Sequence, residues 1–418
     1  MIRAIVFAGI LSLLLSGKAH SKADDPFSAL AAPVSAAPAV PRDTARSTSS
    51  QPDSLKVLAW LDRIKLSGTL EGQMRYLRHK DLAVKDSRAT TDLYFRLLEL
   101  GIETSFSDWA TAIAVLNSEW IGDYMNAGDE RMTVDEIHFD IKEDDVPLYF
   151  VFGKRTLAFG EFENDLVSDP MTQDAYETRK VGATIGYSGP LEFDASVTVY
   201  KGDEAMSHLF QSGLFDTAKI ARNPLDVDNI NSCMVSAFVA PFHDTLTIFG
   251  SVSNEPGAGR RNSTVDAGIS FKIPFYPSIT VNGEYIMALQ REDYVGANRR
   301  YRESVLAASL SYSFVRKKGG IASRGLYKAR KAYRKSHPIL VAVRFERFDD
   351  DSMSEEFGGW SVKNRYLAGG RYTMFRSGDV SAYFGFEYRR TEFRLSPAVS
   401  DALNNCNDEL YIDWGLDF

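Results

Sequence analysis

From Ile64 onward the chain alternates apolar and polar residues, stretch after stretch. Ile64, Leu66, Gly68, Leu70, Gly72, Met74 and Tyr76 interleave with Lys65, Ser67, Thr69, Glu71, Gln73 and Arg75; Phe193, Ala195, Val197 and Val199 interleave with Asp194, Ser196 and Thr198. The same pattern runs from Val265 to Ile273, from Ile279 to Met287 and from Val380 to Tyr388. Successive side chains of a strand point to opposite faces, so a period of two predicts strands with one apolar and one polar face. One such strand fits any half-buried sheet. A long succession of them, with charges on the second face, calls for an apolar exterior around a polar interior, which a membrane β-barrel supplies. The final stretch fits that frame: Ile412, Trp414, Leu416 and the C-terminal Phe418 share one face, and Tyr411, Asp413, Gly415 and Asp417 the other. An aromatic-ended strand closing on Phe is how bacterial outer-membrane barrels usually finish.

The connections alternate between short and long. Turns are expected near Ser107-Asp108, Asp144–Pro147, Ser188–Pro190, His243-Asp244, Pro274–Pro277 and Ser377–Asp379. Longer polar stretches lie around 78–90, 122–132, 158–178, 201–229, 254–263, 289–303, 349–362 and 391–407. Short periplasmic turns and long external loops are the asymmetry expected of such barrels, and eight long loops imply sixteen strands. The expected fold is therefore all-β, a 16-stranded antiparallel transmembrane barrel of the outer-membrane porin type. One connection departs from the rule. Residues 315–337 fall where a short turn is required, yet carry Arg316, Lys317, Lys318, Arg324, Lys328, Arg330, Lys331, Arg334 and Lys335 with no acid. This insertion reads either as a solvated charge run or as a contact for an anionic envelope component.

The N-terminus adds a location. Arg3, an apolar run from Ala4 to Leu15 and then small residues form the three-part layout of a cleavable secretory signal, assigned to residues 1–21. Residues 22–60 read as an Ala/Pro/Ser-rich periplasmic linker with a short apolar lead-in at Leu55–Leu61, and 61–418 as the barrel. No later apolar run is long enough for a spanning helix. Cys233 and Cys406 lie far apart in an exported, disulfide-permissive chain, and their spacing alone does not pair them. The net charge of −8 favours neither nucleic acid nor an anionic membrane surface as a partner.

No catalytic constellation is present. His20, His79, His138, His208, His243 and His337 show no ligand spacing, so no metal or cofactor is expected. His138 between Glu136 and Asp140 reads as pore lining, as do Lys65, Glu71, Arg75, Lys180, Glu284, Arg344, Arg371, Glu387 and Arg389, with Glu99, Asp194 and Glu346 beside them. The stretch after the fifth strand, 157–179, falls at the third external loop, the one that general porins fold inward. Its Glu161, Glu163, Asp165, Asp169, Asp174 and Glu177, with Arg155, Arg179 and Lys180 as a basic minority, are the constriction candidates. Charged rings at a constriction set selectivity, and an acidic one favours cations. The bland reading is a loop packed against the wall with solvated acids.

Trp60–Gly68, the Gly153-Lys154…Phe159-Gly160 strand end, and above all Phe162–Pro170 (FENDLVSDP) with Glu177-Thr178-Arg179 resemble the LbtU-type siderophore-porin family, itself distantly similar to phosphate-selective porins. The resemblance is clearest over about residues 60 to 200. It implies a 16-stranded barrel that helps a ferric siderophore or another small solute cross the outer membrane without making a bond. The family's long periplasmic coiled coil is reduced here to Leu55–Leu61, and the insertion at 315–337 is not part of its pattern. A nonspecific general-diffusion porin and a structural or adhesive envelope barrel are the alternatives; an enzyme is not expected. Expected partners are the solute, outer-membrane lipid and lipopolysaccharide, and a homotrimer is possible by analogy with other 16-stranded porins.

Overall fold

The computed structural model describes residues 63–418 apart from 79–88, 124–130, 144, 162–164, 178, 202–229, 243–244, 256–260, 277, 293–299, 302, 315–338, 351–359, 378–379 and 396–404. The signal and linker, the basic insertion and Glu163 lie outside the described residues.

Sixteen strands follow one another as antiparallel neighbours: β1 (Ile64–Arg78), β2 (Thr90–Ser107), β3 (Ala110–Ile121), β4 (Thr133–Lys142), β5 (Leu148–Thr156), β6 (Arg179–Ser188), β7 (Asp194–Lys201), β8 (Ile230–Val239), β9 (Leu246–Glu255), β10 (Asn262–Lys272), β11 (Ile279–Glu292), β12 (Glu303–Ser313), β13 (Ile339–Asp350), β14 (Trp360–Ser377), β15 (Val380–Leu395) and β16 (Cys406–Asp417). The two-residue strand Arg300–Tyr301 pairs with Arg291-Glu292 and prolongs the β11–β12 hairpin. The sheet closes because β16 pairs with β1, Thr69 opposite Asp417 through Arg78 opposite Asp408. At that seam the Gly68 and Phe418 backbones exchange N–H···O bonds of 2.9 and 3.0 Å. The Phe418 ring lies where a Gly68 side chain would stand, and Trp414 covers Gly72 in the same way.

Strand alternation sorts the side chains as the sequence pattern requires. Leu410, Trp414, Leu416 and Phe418 are exposed on the outer face of β16, while Glu409, Tyr411, Asp413 and Asp417 are buried on the inner one. Ile137, Phe139 and Ile141 on β4, Phe150 and Phe152 on β5, and Val197 and Val199 on β7 continue the apolar exterior. Exposed aromatics crowd the short-turn end: Phe106, Trp109, Phe242, Phe275, Tyr276 and Phe314. Exposed Tyr76, Tyr366 and Tyr388 stand toward the other end, so the apolar surface is banded by aromatics as at the two boundaries of a bilayer.

The described strands end and resume on either side of the expected short turns. That between β6 and β7 is unusual, since Leu191 and Glu192 both take positive φ, 59° and 53°, a conformation that favours Gly or Asn. Cys233 and Cys406 are both free thiols.

Candidate channel constriction and lumen

The connection from β5 to β6 does not stay outside. Loops normally run over the surface because their backbone groups need water. This one carries its own apolar residues: Leu157, Phe159, Met171, Ala175 and Tyr176 pack with Tyr200, Met234, Ile286, Val305, Phe348, Val362 and Phe393 from the inner faces of β7, β8 and β11–β15. Leu166 forms a second apolar contact with Ala342 and Leu367. The segment thus builds a hydrophobic core inside an otherwise polar lumen. Among its described residues the regular element is the short helix α1 (Met171–Tyr176).

Wall carboxylates supply the hydrogen bonds that water would otherwise supply. The Glu161 N–H donates to Glu284 (3.0 Å), the Met171 N–H to Glu346 (2.6 Å) and the Ser168 N–H to Glu387 (2.9 Å). The Ser168 hydroxyl also donates to Glu387, and the Tyr176 hydroxyl to Glu303 at 3.0 Å. Arg344 answers from the other side, donating to the Ser168 and Asp169 carbonyls at 2.8 and 3.0 Å while pairing with Glu346 at 3.0 Å. Charge-assisted bonds of this kind are stronger than neutral ones, and burial raises the cost of breaking them. The segment is fastened to the wall from β11 to β15.

The expected constriction residues occupy different places. Asp169 pairs with Arg96 on β2 (3.5 Å), and Asp174 with Arg365 on β14 (2.9 Å). Burial pushes the Asp174 carboxyl above the usual carboxylate range, and the Arg365 guanidinium pulls it partly back. Asp165 is buried, and Glu161 contributes its N–H to the fastening. Glu177 and Arg179 pair at the root of the segment (3.4 Å), where Arg179 also meets Asp135 at 2.8 Å. Arg155 stands opposite Lys180 and donates to Thr184 at 3.2 Å. Asp169, Asp174 and Glu177 are thus paired with cations and Asp165 is buried, so these four do not form a ring of solvated carboxylates.

The lumen candidates line the wall in pairs. Lys65 meets Glu103 at 2.7 Å near the short-turn end. Glu71 accepts from Arg96 (3.3 Å) and from the Tyr383 hydroxyl. Arg75 pairs with Asp123 (3.0 Å) and Asp92 (3.5 Å) and lies over the Tyr94 ring. Arg389 pairs with Glu409 (2.6 Å) and lies over Tyr411, and Arg371 lies 4.5 Å from the centre of the Tyr383 ring. His138 Nδ1 is 2.7 Å from Asp140, its Nε2 is 3.7 Å from Glu136, and Glu136 accepts the Thr156 N–H at 2.9 Å. Gly153 sits opposite His138 with φ 135°, and any side chain there would strike the Ile137 carbonyl. Among the described residues no group of three His, Cys, Asp or Glu is placed to hold a metal ion.

Two participants escape the alternation rule or the choice of candidates. Arg96 is the extra residue of a bulge: Leu97 stands opposite Glu71 and Phe95 opposite Gly72, so Arg96 is left over. Arg365 is cross-strand from Glu346 and follows the bulge at Lys363. Its parity with Arg371 was the available signal.

A closed 16-stranded barrel with one loop folded onto the inner wall is a porin-type architecture. No family profile matches the chain, and no curated protein matches it. Solved structures do. The outer membrane channel DcaP of Acinetobacter baumannii aligns with a TM-score of 0.55 at 9% identity, over 85% of this chain and 97% of that one. OmpF of Salmonella typhi, solved in a complex with daunomycin, aligns with a TM-score of 0.56 at 12% identity, over 85% and 97%. An anion-selective porin from Comamonas acidovorans aligns with a TM-score of 0.52 at 9% identity, over 85% and 99%. At these identities the likeness is one of fold.

Proposed function

We propose that the chain is an outer-membrane porin that lets a small polar solute diffuse passively through a lumen narrowed by residues 157–177. The observation carrying this reading is the inward segment itself, held by Glu284, Glu303, Glu346, Glu387 and Arg344. A structural barrel needs no such partition, whereas a filter needs its narrowest part rigid. The likeness in fold to the Acinetobacter outer membrane channel and the Comamonas anion-selective porin supports the reading. The lining carries both signs, largely as pairs, which suits weak ion selectivity and a zwitterionic or multiply polar solute. A ferric siderophore is the solute class favoured by the FENDLVSDP…ETR resemblance, and the bacterial outer membrane is the matching location.

Planar-bilayer recording tests this. The purified protein is expected to give steady ohmic steps, and neutralising Glu161, Glu163, Asp165 and Asp169 together to shift the reversal potential toward anions. Reversible current block by a ferric siderophore supports the specific reading. Ohmic current without block, at unchanged small-solute flux, makes it a general-diffusion porin, and closed bilayers would refute transport altogether.

A further inference from the structure

On the outer face of β13–β16 and β1, at the long-loop end, cations gather where a lipid-facing wall has no use for them. Antiparallel register places Phe345, Tyr366, Arg390, Asp408 and Arg78 side by side across five adjacent strands. One step toward the membrane, Tyr388, Leu410 and Tyr76 form the next row, all exposed. One step outward stands Arg347, with Lys363 exposed at the β14 bulge and Arg394 beyond. Arg347 and Arg390 keep 53% and 45% of their side chains exposed, so these are not buried structural charges. Asp349 bridges Arg347 (2.5 Å) and Arg394 (3.3 Å), and Asp408 sits 3.7 Å from Arg390 and accepts the Tyr388 hydroxyl at 2.6 Å. Arg78 and Lys363 make no ion pair among the described residues. Among the described residues the patch therefore keeps a cationic excess despite Asp349, Asp408 and Glu392, although the whole chain carries a net charge of −8.

We propose that this patch binds the phosphates of a phosphorylated glycolipid in the outer leaflet, its acyl chains lying along Tyr388, Leu410 and Tyr76. Height and face select the occupant. Exposed tyrosines mark the depth at which hydrocarbon gives way to headgroups, and the cations begin within that band, Arg390 beside Tyr366 and one row above Tyr388 and Tyr76. Strand alternation turns these side chains away from the lumen, so a solute in transit does not meet them. Guanidinium groups engage phosphate oxygens through paired N–H donors, which suits a headgroup bearing more than one phosphate. The inference needs the barrel's membrane setting but not its transport role.

The test uses the full chain in detergent, with diphosphoryl lipid A as probe and native mass spectrometry as readout. Combined substitution R78Q/R347Q/K363Q/R390Q is expected to weaken lipid A binding at least about tenfold, since each surface cation contributes to anionic-lipid attraction. A control, K154Q/K201Q, removes a half-buried cation from β5 and an exposed one from β7 and is expected to leave binding unchanged. Equal loss in both variants, or none in the first, overturns the proposal. Should the fourfold variant fail to show heat-modifiable mobility, the wild-type protein decides: preference for diphosphoryl over dephosphorylated lipid A supports the patch, and equal binding overturns it. Displacement of lipid A by millimolar inorganic phosphate would overturn the glycolipid as occupant. Bilayer conductance of the fourfold variant is expected to match wild type, so failure here leaves the channel reading standing.

Discussion

Arg96 joins three parts of the molecule: its own strand, Glu71 on β1 and Asp169 on the inward segment. Only a bulge gives it that reach, because strict alternation would have placed its neighbours, not itself, over Glu71. Removing one member of a largely buried ion pair strands the others, so R96A is expected to lower barrel stability by about 3 kcal/mol in urea titrations in micelles. It is also expected to shift bilayer selectivity toward cations, as Asp169 and Glu71 lose their shared counter-charge. R96K should recover only part of both, because one ammonium replaces a two-sided guanidinium. Residues such as Glu71, Arg344, Glu387 and Arg389 were legible in the sequence, since parity along an unbroken strand suffices to place them. Arg96 shares the parity of Asp92 and Tyr94, but the phase breaks across Arg96-Leu97-Leu98-Glu99, so a single alternation carried through TDLYFRLLEL does not place it.

At the scale of elements, the inward segment is the informative one. Its position after the fifth strand was readable from the rhythm of turns and loops, and its acids from the sequence itself. What most of those acids touch was not readable, since the Asp169 and Asp174 partners, Arg96 and Arg365, lie 73 and 191 residues away on other strands. The apolar core beneath the segment was equally hidden. Phe348, Val305 and Ile286 are inward apolar residues whose meaning appears only once Met171 and Tyr176 arrive above them. M171D is expected to expel the segment: an unpaired buried carboxylate is costlier than the transfer of one apolar side chain. Single-channel recordings should then show larger, noisier conductance, with the barrel still resistant to detergent. The β6–β7 turn offers a second test. Replacing Leu191 and Glu192 by Asn and Gly suits their positive φ and is expected to add about 1–2 kcal/mol, read as a higher urea midpoint.

The whole molecule rests on the seam between β1 and β16. Fold class and the pairing of these two strands were legible because apolar and polar parity must match on both sides of a closed sheet. The Phe418 ring over Gly68 gives the seam its fit, and G68V is expected to reduce the yield of heat-modifiable barrel while leaving the conductance of correctly formed channels unchanged. The seam also governs how the protein comes into being. The first strand cannot be satisfied until the last has been made, so neither half of the chain is a stable stopping point. A chain halted anywhere before residue 406 would present two unpaired strand edges, and such edges invite pairing with other chains. Closure is therefore a quality check written into the topology, passed only by molecules that carry the strand Cys406–Asp417.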